Sequence, residues 1–433
     1  MAIQALMVIL AVLLALLFLG VPISYAIAVS SLTAILSSID LNVAVLTAAQ
    51  RTFVGMSKFS LTAIPFFILA GNIMNQGGIA KRLVDFVMSI LGKLPGALLI
   101  TNIGTNALFG AISGSASAAA AAVGSMIRDG AEEQGYDPAV TAATNSASAC
   151  SGLLIPPSNA LITYSLASGG TSVAALFMAG YIPGIIWALC CCIVGVLLAK
   201  HLGYKGTPGK FDWKNLGVCT LRALPSLSLI IVVIGGIVGG IFSATEGSAI
   251  AVVYSLVLAF CYRSINLKSL WRIVVDSAKM SGMVVFLVGV SNILGWVMAF
   301  LQIPDAVAAA LLSLTSNKYI ILLIMNVILL VAGTFMDVTP AILIFTPLFL
   351  PICQSFGMHP IHFGLILVYN LCIGNITPPV GNALFVGIKV GRTTLAKVMP
   401  YMLIYYAAII LGLLLVTYIP AVSMVLPQVT GLV

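Results

Sequence analysis

The chain has 433 residues, of which 61% are hydrophobic and only 7% charged, and its mean hydropathy is +1.18. A soluble protein of this length needs far more charge to cover its surface, so the composition excludes one and points to a polytopic membrane protein. The net charge of +8 fits the Lys and Arg that membrane proteins collect on cytoplasmic loops and does not call for a nucleic-acid partner.

In chain order, the first apolar run (residues 3–19) has no basic residue before it and is long enough to span, so it reads as a span and not as a cleavable leader. Residues 3–20 and 22–39 are two spans joined by a tight turn. Residues 43–53 are amphipathic and belong at the membrane interface, and 61–74 is a third span. Residues 80–91 place Lys81, Arg82 and Asp85 beside Leu83, Val84, Phe86 and Val87, a second interfacial helix. Residues 95–133 hold two apolar stretches around Ser113-Gly114-Ser115-Ala116-Ser117. Residues 138–168 are apolar but interrupted by Pro156-Pro157, and 174–199 is a long span.

A polar linker (201–223) divides the first half, 1–200, from the second, 224–433. The pattern then restarts. Residues 224–241 and 248–262 are paired spans, 267–275 is amphipathic, 281–300 is a span and 304–314 is amphipathic. Residues 319–356 mirror 95–133, with two apolar stretches around Gly333-Thr-Phe-Met-Asp337-Val-Thr339-Pro340. Residues 361–391 are interrupted by Pro378-Pro379, and 399–427 closes the chain.

A Pro-Pro pair cannot continue a helix, because it removes backbone donors and clashes with the preceding turn. In lipid such a break is tolerated only where the freed groups are buried in protein or line a cavity. The two breaks also correspond. Gly152 and Gly374 are 222 residues apart, as are Pro156-Pro157 and Pro378-Pro379. Asn159-Ala-Leu161 and Asn382-Ala-Leu384, like Ile27-Ala-Val29 and Ile250-Ala-Val252, are 223 apart. A steady offset reads as an internal duplication, and paired broken helices point to a transporter's midplane site.

If 95–133 and 319–356 are re-entrant hairpins, each half crosses five times and the second half is inverted. Of the 19 Lys and Arg, all but Arg51, Lys58 and Lys318 then fall on one side, which is cytoplasmic by the positive-inside rule. Both termini face outward, the first hairpin opens from the cytoplasm and the second from outside. The fold expected is an all-α polytopic membrane protein with an inverted repeat, two re-entrant hairpins and two broken helices.

The four breaks should meet near the midplane. Helix C-termini and unwound carbonyls there suit a cation and helix N-termini an anion, while Ser, Thr and Asn add neutral oxygen ligands fit for Na+. Ser113, Ser115, Gly152, Ser158 and Asn159 frame one ion site; Thr334, Asp337, Thr339, Gly374, Thr377 and Asn382 frame the other. Substrate contacts are expected from Ser115, Ser117, Asn159, Asp337 and Asn382. For any single Ser or Thr the competing reading is a side chain bonded back to its own helix, but clustering at four corresponding breaks favours ligation. Asp337, an acidic group expected deep in the membrane, reads as ligand or gate, with a helix cap as the alternative. Glu246 reads as an N-cap near the outer surface. No Arg or Lys falls at the midplane to pair with a carboxylate, which leaves helix N-termini to hold one.

Other signals are weaker. Gly235-Gly236-Ile-Val-Gly239-Gly240 suits helix packing. There is no Gly-x4-Gly-Lys-Ser/Thr, so no ATP is hydrolysed by a P-loop, and no His-Glu-x-x-His. The eight cysteines lie in apolar segments without metal-ligand spacing. His201, His359 and His362 read as loop or interface residues. No acid–base pair or nucleophile constellation suggests an enzyme.

Together, Phe109-Gly-Ala-Ile-Ser113-Gly114-Ser115, Gly135-Tyr-Asp-Pro138, Ile155-Pro156-Pro157-Ser158, Gly333-Thr-Phe-Met-Asp337 and Thr377-Pro378-Pro379-Val-Gly381 resemble the large membrane subunit of TRAP (tripartite ATP-independent periplasmic) transporters over essentially the whole chain. The resemblance implies an elevator-type transporter of the bacterial inner membrane, with hairpins and broken helices moving against a scaffold of the other spans. It implies Na+-coupled symport of an organic anion such as a C4-dicarboxylate, sialic acid or another acidic sugar. It also implies a separate small four-helix membrane subunit and a periplasmic substrate-binding protein as partners. The Ala-rich run 116–122 departs from the pattern, so backbone carbonyls are expected to replace side-chain ligands there. A stand-alone Na+/organic-anion symporter and an anion channel are the alternatives.

Overall fold

The computed structural model describes residues 2–206, 212–315 and 317–433; part of the expected linker, 207–211, lies outside the described residues. Every described element is helical. The first half runs α1 (Ala2–Phe18), α2 (Ile23–Ile35), α3 (Leu41–Met56), a 3-10 turn (Phe59–Thr62), α4 (Ala63–Gln76) and α5 (Ile79–Leu91). A hairpin follows, α6 (Ala97–Ser113) and α7 (Ala116–Glu133), then a broken helix, α8 (Pro138–Ala149), α9 (Ser151–Leu154) and α10 (Asn159–Ala167), then α11 (Val173–His201). The second half has α12 (Trp213–Val238), α13 (Ala244–Cys261), α14 (Leu267–Phe300) and α15 (Ile303–Leu314). Its hairpin is α16 (Lys318–Gly333) and α17 (Val338–Ser355), its broken helix α18 (Pro360–Gly374) and α19 (Asn382–Val390), and α20 (Leu395–Tyr418) and α21 (Ala421–Val429) end the chain.

The order of hairpin, broken helix and long helix therefore occurs twice, with breaks where the sequence places them. Several boundaries differ. Residues 267–275 and 281–300 form one 34-residue helix, α14, because Asn266 and Ser269 close a capping box at its start and no proline interrupts it. The linker is shorter than expected, since Asp212 caps α12 by accepting from the amides of Lys214 and Asn215, both at 3.0 Å. The last segment is split at Pro420, which cannot donate to a continuing helix.

The expected ten crossings are not reproduced by length and composition alone. Six described helices are long and apolar enough to span, or eight if the two bent pairs, α3 with α4 and α15 with α16, each count as one. The shortfall arises because α1, α2 and α18 have only 13–17 residues and the first broken helix is cut into pieces of 12, 4 and 9, against about 20 for a full crossing. Conversely, α17 passes the length test although it is a hairpin arm. Residues 43–53, expected as an interfacial helix, belong to α3, which is bent by 59° from α4 and packs along α14.

Aromatic side chains tie the centre together. Buried Trp187 of α11 donates to the Ala147 carbonyl at 2.8 Å and tilts against Tyr369 at 4.9 Å. The Tyr405 and Thr144 hydroxyls share a 2.8 Å hydrogen bond. Burying such large rings contributes much of the apolar driving force while the polar tips of Trp187 and Tyr405 stay partnered; the buried Tyr369 hydroxyl has no protein partner. Glu246, expected as an N-cap, is instead the N3 residue of α13: Ser243 is the N-cap and Glu246 closes the capping box. Its carboxylate accepts from the Ser243 amide at 2.7 Å and hydroxyl at 2.9 Å. His362 departs from expectation: it is 2% exposed inside α18, with its ring nitrogens 3.3 Å from the Ser423 hydroxyl and the Thr417 carbonyl.

Close backbone packing joins each hairpin to the broken helix beside it. A Cβ added at Gly152 would lie 2.1 Å from the Cα of Gly110, and one at Gly374 would lie 2.4 Å from the carbonyl carbon of Gly333. Backbone meets backbone at both places, with no flexible side chain to yield. Gly152→Ala and Gly374→Ala are each expected to destabilise by about 1–3 kcal/mol or more through forced overpacking. Gly235→Ala, with nothing within 4 Å of the new Cβ, serves as the neutral control. Thermal unfolding of the three purified variants checks this.

Candidate functional site

The first hairpin turns at Gly114, whose φ of +61° is left-handed and whose added Cβ would lie 2.9 Å from Nδ2 of Asn159. Only glycine satisfies both the turn and the approach. Ser115 caps α7 by accepting from the Ala118 amide at 3.3 Å, and Ser113 donates to the Ser115 carbonyl at 3.4 Å. Asn159, at the start of α10, donates to the Gly114 carbonyl at 3.5 Å and so links the first break to the first hairpin tip. Ser158 is fully buried; its hydroxyl donates to the Leu153 carbonyl and accepts from the Leu161 amide at 3.4 Å. Ser117 lies in the first turn of α7, half-buried.

The second pair is built alike. The Val380 amide donates to the Thr334 carbonyl at 3.2 Å, joining the second break to the second hairpin tip. Thr377 donates to the Ile373 carbonyl at 2.6 Å and Thr334 to the Val331 carbonyl at 2.7 Å, so both hydroxyls bond back to their own helices. Asp337 caps α17, accepting from the Val338 amide at 2.9 Å, and is exposed, as is Asn382. Thr339 follows in the first turn of α17, half-buried. Both Pro-Pro bonds are cis.

The two breaks also meet each other. Asn375 of the second break is buried, with its Nδ2 3.9 Å from the sulfur of Cys150, just ahead of the first break. The four tips thus converge, with Ser113, Ser115, Gly152, Ser158 and Asn159 on one side and Thr334, Gly374 and Thr377 on the other. The halves differ in exposure, since Ser158 is enclosed while Asp337 and Asn382 open outward.

Sequence reasoning missed a set of buried asparagines behind the tips. Asn106 donates to Oδ1 of Asn102 at 2.7 Å, Oδ1 of Asn145 at 3.1 Å and the Ser148 hydroxyl at 2.8 Å, while Asn145 donates to the Ala120 carbonyl at 2.8 Å. In the second half Asn370 donates to Oδ1 of Asn326 at 2.9 Å, and Asn326 donates to the Thr417 hydroxyl at 3.0 Å. A signal was present: Asn106 and Asn370 each lie four residues before the close-packed Gly110 and Gly374, and Asn145 and Asn326 seven before Gly152 and Gly333. The side-chain carbonyls of Asn106, Asn370 and Asn375 are buried without a protein donor, which is costly unless something else fills the place.

Neutral oxygens dominate this centre, and no group of three or more His, Cys, Asp or Glu occurs among the described residues. That donor set suits an alkali cation far better than a transition metal. The architecture is that of a multi-pass membrane permease with broken helices at a central site. The sequence profile of the tripartite ATP-independent periplasmic transporter DctM component matches residues 10–422, and the chain belongs to that family, as its large membrane subunit. It is 50% identical to the uncharacterized protein YgiK of Salmonella typhimurium, over 94% of each chain. It is 37% identical to the C4-dicarboxylate TRAP transporter large permease protein DctM of Pseudomonas aeruginosa, over 93% of each chain. Its fold is similar to the YdaH transporter of Alcanivorax borkumensis, with a TM-score of 0.62, 15% identity and 88% of each chain covered. The relatives with assigned roles are permeases, not enzymes.

The asparagine network gives a direct test. Asn106→Leu strands Asn102, Asn145 and Ser148 and is expected to cost about 1–3 kcal/mol. An unfolding midpoint equal to wild type would show that these bonds hold nothing together.

Proposed function

We propose that this chain is the permease of a Na+-coupled TRAP symporter that takes up an organic anion across the inner membrane by an elevator movement. The observation that carries this reading is the convergence of two hairpin tips and two helix breaks on a neutral-oxygen centre where the buried Oδ1 of Asn375 lacks a protein donor. Ser113, Ser115, Gly152, Ser158 and Asn159 would hold one Na+; Asn375, Gly374, Thr334, Thr377, Asp337, Thr339 and Asn382 the other. Substrate is held at Ser115, Ser117, Asn159, Asp337 and Asn382, on the exposed side of the tips. The hairpins and broken helices are the moving part, and α1–α5 with α12–α15 the scaffold. The repeated Gly110–Gly152 and Gly333–Gly374 contacts support the repeat, and the segregation of Lys and Arg supports its inversion with both termini periplasmic. Family membership implies a small membrane subunit and a periplasmic binding protein as partners. The C4-dicarboxylate relative makes a small carboxylic acid the first class to try.

Proteoliposomes holding the complete complex are expected to accumulate an organic acid only with an inward Na+ gradient and the binding protein present. Accumulation indifferent to the gradient would overturn the coupling. Asn375→Ala is expected to raise the Na+ concentration for half-maximal uptake by about tenfold, the scale of one lost charge-assisted ligand. Asp337→Ala is expected to cut uptake by at least about tenfold with expression intact, and wild-type uptake would reduce Asp337 to a cap.

A further inference from the structure

A cavity of about 380 Å³ lies between α3 and α14 on one side and α10 and α17 on the other. It shares no lining residue with the four breaks. Its wall carries two cations, Arg51 and Lys58, and no acidic side chain. These are two of the three basic residues that the charge count places away from the cytoplasmic side. Arg51 is held in place, with its guanidinium carbon 5.5 Å from the centroid of the Trp296 ring, which itself stacks on Phe300 at 5.2 Å. No carboxylate among the described residues pairs with Arg51 or Lys58. Beneath them α3 and α14 pack closely: a Cβ added at Gly55 would lie 2.6 Å from Nδ2 of Asn292, another lining residue.

The facing wall is the second hairpin and the end of the first broken helix. Leu343 and Pro347 of α17 line the cavity. They stand roughly 9 and 15 Å along the helix from Asp337, at 1.5 Å per residue. The cavity therefore opens one to three turns from the hairpin tip, along the arm that leads to it. Two cations without a carboxylate partner in a half-open groove, lined mostly by apolar residues together with Ser291 and Asn292, set up a positive potential that concentrates anions.

We propose that this cavity is an anion-binding vestibule in which Arg51 and Lys58 take the acidic group of the transported organic acid before it reaches the second hairpin tip. The inference rests on the organic-anion reading and deepens it, because it places the charge that recognises the substrate on α3 and its junction with α4, while the helix breaks hold the ion. It offers a first holding point for the carboxylate besides the helix N-termini.

The test reads the vestibule without needing the substrate. Ala299, which lines the cavity and is exposed, is replaced by Cys in the full complex with Cys261→Ser. Labelling rates are then compared for anionic methanethiosulfonate ethylsulfonate and its cationic trimethylammonium counterpart. The anion-to-cation rate ratio is expected to fall at least about tenfold when Arg51→Gln and Lys58→Gln are added, and to return with Arg51→Lys and native Lys58. A ratio unchanged within about twofold overturns the vestibule. In uptake, the double variant is expected to raise KM about tenfold for whichever organic acid the wild type accumulates, with the Na+ dependence unmoved. A wild type that accumulates no organic acid with Na+ overturns the functional reading instead, and the labelling ratio still decides the vestibule.

Discussion

A helix that stops inside an apolar layer leaves backbone donors and acceptors that water cannot reach, and satisfying them governs how this protein is built. Each break is brought against a hairpin tip, and each tip supplies what the break lacks. Asn159 reaches the Gly114 carbonyl, and the Val380 amide reaches the Thr334 carbonyl. The approach is possible only because glycines face each other at 110 and 152 and again at 333 and 374. The tyrosines extend the same logic outward, Tyr406 donating to the Ile376 carbonyl at 2.5 Å and Tyr164 to the Pro360 carbonyl at 2.5 Å. What stays unpaired is then informative, because a fold that spends so many side chains on satisfaction leaves the Asn375 carbonyl bare where a cation can use it.

How much of this was legible in the sequence depended on whether the signal was local. Pro-Pro pairs act within one turn, so both breaks and both hairpin tips were found within a residue or two. The duplication was legible because Gly, Pro and Asn recur at one offset. Helix continuity through 276–280 was not, because Asp276 and Lys279 look like a boundary in a hydropathy pattern yet do nothing to stop a helix that lacks proline. His362 misled in the same way: a polar residue in an apolar run suggested a surface, but Ser423 and the Thr417 carbonyl, some 55 and more residues away, give it partners in the core. The asparagine network is likewise a tertiary fact, since an Asn in a span says that a partner exists without saying which.

Candidate ligands divided along the same line. Ser115, Ser158 and Asn159 are held by bonds that fix their place at the first break. Thr334 and Thr377 instead turn back to their own helices, the alternative that applies to any membrane Ser or Thr. Their carbonyls, not their hydroxyls, are what the second tip presents, and the Thr334 carbonyl already accepts from Val380. Asp337 caps α17 with one oxygen, the alternative reading for it, and its side chain is exposed at the tip. A cap fixes the carboxylate relative to the helix end, which is what a ligand or gate at that point requires.

Charge separates two tasks that one site would perform badly. A carboxylate and a sodium ion attract each other, but a cavity rich in arginine repels the ion, and a cage of carbonyl oxygens repels the acid. The centre at the breaks is dominated by neutral oxygens, and Arg51 and Lys58 stand apart from it in the groove beside α17. The elevator proposed for this chain would gain from that division. A cation fixed to the scaffold holds an acid in one position of the moving domain and releases it as the domain slides away, so attraction at the entrance does not become retention at the exit. Cations carried on the hairpins would travel with the substrate and oppose its release. In the elevator proposed above, Arg51, whose guanidinium carbon lies 5.5 Å from the centroid of the Trp296 ring of α14, would belong to the scaffold.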